Sequence, residues 1–199
     1  MANLPIPKVY IIPTKQPNAF ATGRNPKHSA VACTEGIIEI LSKDELRGVI
    51  AHELAHIKNR DTLITTIAAT IAGVISYIAT MAQWAAIFGG GRERDNGELL
   101  RLLFLIILTP LIASILQLSI SRTREFFADK TGAQFTKDPH GLASALERLE
   151  HNHTKIKMGN DATASLFIVN PLKGKNMMKW FSTHPPTSER VKKLRSMRI

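Results

Sequence analysis

The chain has 199 residues, 44% of them hydrophobic, with a formal net charge of +10 and a single cysteine. That length holds one domain with a core, or a small domain plus a membrane insert, and the lone Cys33 excludes an internal disulfide framework and reads as a small core residue. The charge lies in the flanks, +2 over residues 1–61 and +8 over 121–199 against zero between them, and its basic residues are scattered rather than blocked, which disfavours a nucleic-acid-binding domain.

Residues 9–12 form a short β-rich run that stops at Pro13. Residues 19–22 and 29–34 are further strand candidates, and Gly23, Asn25 and Pro26 place a hairpin around 23–27. Residues 34–41 suit either a short helix or a continuing strand. Ser42 followed by Glu45 is a capping-box signature, opening a helix from Lys43 to about Arg60 with Leu46, Val49, Ile50 and Leu54 on one side. Residues 62–91 then run for 30 positions without a charge, and 102–121 for 20 more. Each is long enough for a membrane span, which needs about 20 apolar residues, so the pair reads as a hairpin with its tip at 89–101. Beyond Arg122 a helix runs to about Phe135, and Asp138-Pro139 opens another to about Asn152. Residues 153–180 read as irregular. Pro185-Pro186 opens a final amphipathic helix whose Arg190, Lys192, Lys193, Arg195 and Arg198 form a polar face.

The chemistry is carried by His52-Glu53-Leu54-Ala55-His56. Two histidines four apart on a helix point the same way, so both imidazoles reach one metal ion. Glu53, next to the first, is placed to take a proton from a metal-bound water. A catalytic zinc usually takes three protein ligands and keeps one position open. The metzincin pattern would need Gly at 59 and His at 62, where this chain has Asn59 and Thr62, so the third ligand comes from a later segment. Glu125 is the best candidate, with Asp129 one turn on to accept a hydrogen bond from a ligand imidazole. Two spans return the chain to the side it left, so His52, His56 and Glu125 can meet.

HELAH at 52–56, the apolar hairpin, SRTREFFAD at 121–129, FSTHPPTSER at 181–190 and PNAFATG at 17–23 together resemble the HtpX heat-shock proteases, membrane-bound zinc endopeptidases related to the CAAX prenyl endopeptidases. The resemblance implies an α+β, mostly helical zincin-type domain with a small N-terminal sheet and an inserted hydrophobic hairpin. The catalytic domain would then comprise residues 1–61 and 122–199, interrupted by a transmembrane hairpin at 62–121. It implies His52, His56 and Glu125 as ligands of one Zn2+, Glu53 as the base and Asp129 as a partner behind the ligands. His184 would stabilise the oxyanion and Arg190 would hold its segment in place. Asn18, Ala19, Phe20, Ala21 and Thr22 would form a strand that pairs with extended substrate. Members of that family carry two further membrane helices ahead of the segment that begins here near Pro7, so attachment is expected to depend on the central hairpin.

Lys and Arg flank the hairpin on the catalytic side (Arg47, Lys58, Arg60, Arg122, Arg124, Lys130) against a mixed-charge tip, which places the catalytic domain in the cytoplasm as a multi-pass protein of the cell (inner) membrane. The implied role is stress-linked quality control, the cleavage of misfolded or damaged membrane proteins. An intramembrane protease is disfavoured because Lys43, Asp44, Glu45 and Arg47 on one side and Lys58, Arg60 and Asp61 on the other bracket the metal motif. The alternative of a catalytically silent membrane scaffold with a structural metal is disfavoured because such sites are closed by four ligands, usually rich in cysteine.

Overall fold

A computed structural model of the chain describes residues 2, 4–88, 96–153 and 185–199. Three short strands open the fold: β1 (Lys8–Ile12), β2 (Ala19–Asn25) and β3 (His28–Thr34). They form one sheet in the order β1-β3-β2, with β1 parallel and β2 antiparallel to β3. Among the described residues, β2 therefore has a strand neighbour on one side and an open edge on the other.

The ambiguous stretch after β3 is a helix, α1 (Glu35–Ile40), begun by Thr34, whose hydroxyl accepts the Ile37 N–H. The next helix, α2 (Lys43–Asn59), carries the complete capping box. The Ser42 N–H donates to Glu45 at 2.7 Å and the Glu45 N–H donates back to the Ser42 hydroxyl. Arg60 ends α2 in the left-handed conformation, with φ of 54°, and α3 (Asp61–Phe88) begins at the next residue.

The sequence suggested a span ending at 121 and a separate helix from Arg122. The structure has instead one helix, α4 (Asn96–Thr136), 41 residues long with Pro110 inside it. Charge at Arg122 marks where an apolar stretch stops, but nothing there interrupts the hydrogen-bond ladder, since no glycine or proline follows until Gly132. Two helices close the described chain. In α5 (Pro139–His153) the Asp138 carboxylate accepts the His140 and Gly141 N–H groups, and α6 spans Thr187–Ser196.

The chain divides into two compact units, residues 1–63 with 121–199, and residues 64–120. The first has a protein core. Ile37, Val49, Leu142, Leu146 and Leu194, from α1, α2, α5 and α6, are fully buried in it. Truncating such a leucine costs about 2–5 kcal/mol. Cys33 lies in the same core; burial, helped by the charge of Glu53, raises its thiol to about 11. The second unit is built differently. Ile71, Tyr77, Trp84, Ile107 and Leu116 are exposed. Two segments, Asp61–Ala85 and Ile106–Thr136, are long and apolar enough to cross a membrane. The hydroxyls of Thr70, Thr80, Ser114 and Ser119 donate to the carbonyl one turn back, which satisfies them without water.

Candidate metal centre

His52 and His56 stand one turn apart on the same face of α2, and α4 brings Glu125 and Asp129, also one turn apart, against it. The close approach is set at Gly132, on the same face of α4 as Glu125. A Cβ there would lie 2.9 Å from the His52 backbone nitrogen. Every other side chain needs more room than that, so glycine is required for the two helices to meet at this depth.

The ligand atoms converge. His52 Nε2 is 3.1 Å from His56 Nε2, and Glu125 Oε2 and Oε1 lie 3.7 and 3.5 Å from His52 Nε2 and His56 Nε2. Among the described residues these three are the group placed to hold a metal ion, with one donor atom from each all within 4.8 Å of one another. Tetrahedral donors at 2.0–2.1 Å from an ion stand about 3.3 Å apart, so the spacing fits an ion bound by two imidazoles and a carboxylate.

The remaining nitrogens support the same reading. His52 Nδ1 donates to Asp129 at 3.0 Å and His56 Nδ1 donates to Asp61 at 2.7 Å. Each imidazole is thereby turned so that Nε2 points at the shared centre. Burial pulls the His56 pKa down, but the hydrogen bond to Asp61 and the charges of Glu53, Glu125 and Asp61 outweigh it and bring it to about 9. The pocket thus favours a positive charge where the metal would sit.

Two cations brace the carboxylates. Arg190 of α6 is 2% exposed; its Nε and Nη2 donate to Asp129 at 2.9 and 2.6 Å, and Nη1 contacts Glu125 at 3.1 Å. Burial disfavours its charge, yet Asp129 and Glu125 hold its proton more tightly than in an ordinary guanidinium. The family resemblance gave Arg190 a supporting role at the site, whereas the charge pattern placed it on the polar face of the last helix. The structure corrects this: Lys192, Lys193 and Arg195 are exposed while Arg190 turns inward. Arg124 pairs with Asp61 and donates to the Asn59 carbonyl at 3.2 Å. In the sequence Asp61 and Arg124 stood only as charges flanking the motif and the hairpin, with no role at the site. The only available signal was an acid just past the second histidine, where the helix was expected to end.

Glu53, 7% exposed, accepts the Ala21 N–H at 2.9 Å, so the open edge of β2 faces the site. Main-chain groups alternate along a strand. Asn18 accepts the Thr34 N–H and donates to the Thr34 hydroxyl, so its main chain is taken, and by alternation so is that of Phe20 and Thr22. Within the segment 18–22, Ala19 and Ala21 are the residues whose main chain turns away from β3, but Ala19 is buried and the Ala21 N–H is held by Glu53. His184 lies outside the described residues, as does the stretch 154–180.

The model of peptidase family M48 matches residues 1–198. A protease HtpX homolog of Syntrophotalea carbinolica is 57% identical over 98% of this chain and 72% of its own length. Those of Thermodesulfovibrio yellowstonii and Pyrococcus furiosus are 58% and 52% identical, over 98% of this chain and 71% and 69% of theirs. The crystal structure of S. mikatae Ste24p is similar in fold, with a TM-score of 0.65 at 19% identity, over 96% of this chain and 47% of that one.

Proposed function

The chain belongs to peptidase family M48, among the HtpX proteases, and from that membership we propose a zinc-dependent endopeptidase with a specific division of labour. That it is a membrane metalloprotease follows from the family; the identity of the metal, the residue roles, the substrates and the orientation are our reading. The observation that carries it is the convergence of His52, His56 and Glu125, each backed by a second charged group.

In this reading His52, His56 and Glu125 hold one Zn2+. When bound, zinc supplies Lewis acidity and lowers the pKa of a water molecule toward about 7. Glu53 takes the proton of the attacking water and delivers it to the leaving amine. Asp129 and Asp61 keep the two imidazoles aimed, and Arg190 offsets the negative charge behind them. The edge of β2 at Ala21, where Glu53 holds the N–H, would offer its main-chain carbonyl to an extended substrate, which would align a peptide bond beside Glu53. His184 is assigned to oxyanion stabilisation by the family resemblance. Residues 62–121 form the membrane hairpin, and the charge asymmetry of its flanks places the catalytic domain, residues 1–61 and 122–199, in the cytoplasm. Misfolded or damaged membrane proteins are the expected substrates.

Metal analysis and peptide cleavage test this together. Wild type should hold one zinc per chain. Glu53→Gln should keep the metal and lose about 10³-fold or more in kcat/KM, while Glu125→Ala should lose the metal. Full activity in Glu53→Gln would remove the base assignment. Bound metal without cleavage in the wild type would favour a silent scaffold.

A further inference from the structure

The pairing of β2 with β3 slips at one point. Gly23 faces Ser29 and Asn25 faces His28, which leaves Arg24 between them without a partner. Gly23 has φ of 146°, and a Cβ there would stand 2.3 Å from the His28 carbonyl oxygen, so the irregularity depends on glycine. A bulge of this kind bends the strand and re-aims the side chain it carries. Here Arg24 lines a groove together with Ala21, His56, Ile57, Arg60 and Leu63. Arg60 reaches the same groove through the left-handed turn that ends α2. Both arginines are exposed, and among the described residues neither has a carboxylate partner. Two acids beside residues of the groove are engaged elsewhere: Asp61, next to Arg60 in the chain, by His56 and Arg124, and Glu53 by the Ala21 N–H.

We propose that Arg24 and Arg60 form a substrate subsite that favours a glutamate or aspartate about three residues from the bond that is cut. The spacing follows from strand geometry. Arg24 is three positions past Ala21, the residue opposite Glu53, and a strand advances about 3.3 Å per residue. The proposal rests on substrate lying along β2, as argued above. An anionic lipid headgroup has the same charge, but the groove is walled by the strand edge and by His56, which suits a peptide. Two arginines lining one groove should discriminate Glu from Lys by about tenfold, more than one exposed ion pair provides.

The test uses the metal-loaded full chain in detergent and fluorogenic peptides that differ only in Glu, Gln or Lys three residues to either side of the cut. The expected result is a kcat/KM ratio of Glu to Lys of about 10 on one side only, abolished or inverted in Arg24→Glu/Arg60→Asn. Asparagine tolerates the left-handed conformation at position 60, and a ratio within one enzyme is insensitive to partial loss of folded protein. A wild-type ratio near one, or a ratio unchanged in the variant, overturns the subsite. Binding of the same peptides to Glu53→Gln, read by fluorescence anisotropy over a salt series, keeps the outcome separate from the catalytic reading. A cleaving Glu53→Gln would sink the base while leaving the charge preference to be read. Weakened binding of the variant to phosphatidylglycerol vesicles, with its peptide ratio unchanged, would give the groove to lipid and overturn the proposal.

Discussion

The two units of this protein handle polarity in opposite ways. The unit of residues 1–63 and 121–199 buries charge: Glu45, His52, Glu53, Asp61, Glu125, Asp129 and Arg190 are all buried in it. In the unit of residues 64–120, Ala72 and Ala113 are the buried positions among the described residues, and large apolar side chains stand exposed. A buried charge is stable only when it is paired, and an apolar surface this extensive is stable only when something apolar covers it. One unit therefore contains the partners its side chains need. The other presents an apolar surface that fits the interior of a bilayer.

Breaking the charge network should produce the largest effect. Arg190→Ala leaves Asp129 and Glu125 with an uncompensated buried negative charge, and such a loss costs about 3–5 kcal/mol. Denaturant or thermal melts in detergent should show it, and added zinc should recover part of it by replacing the missing positive charge. A melt unchanged within about 0.5 kcal/mol would mean that Arg190 does not hold the network.

Asp61→Ala should be milder, because it removes the partner of one ligand rather than a ligand. Zinc affinity is expected to fall about 10–100-fold, read by competition with a chromogenic chelator. An unchanged affinity would show that His56 is aimed by packing alone. The pH dependence sharpens the same point. Zinc must displace the proton that His56 holds up to about pH 9 in the metal-free protein. Below that pH, affinity should rise about tenfold per unit and then level off. Asp61→Ala removes one cause of the raised pKa, so its curve should level off at lower pH.

The smallest effect on the catalytic unit should come from the unit of residues 64–120. Leu116→Ser, at an exposed position, should shift the zinc affinity by less than about twofold and the melting of the catalytic unit by less than about 0.5 kcal/mol. It should nevertheless weaken retention in lipid vesicles measured by flotation. A large loss of metal affinity would contradict the separation of roles between the two units.

Much of the catalytic unit was legible in order along the chain. The capping box at Ser42 and Glu45, the hairpin near Gly23 and the helix opened by Asp138 all appear where their residues predicted. Each depends on neighbours within a few residues, where chain geometry leaves few choices. The continuity of α4 was not legible, because hydrophobicity reports the surroundings of a helix and not its ends. The buried state of Arg190 was hidden from charge patterning, and only the family resemblance set that residue apart. In a run of basic residues, composition does not say which one turns inward.

The sequence by itself determined that His52 and His56 share a face with Glu53 beside them, since a helical period of 3.6 residues makes that placement local. It also determined that two long apolar stretches separate the motif from Glu125. Only the tertiary structure decided that Asp61 and Arg124 stand behind His56, that Arg190 joins Asp129 across 61 positions, and that Gly132 lets α4 come within reach of α2. Such contacts depend on how helices pack. Packing is set by the fit of whole surfaces, which no single stretch of chain encodes.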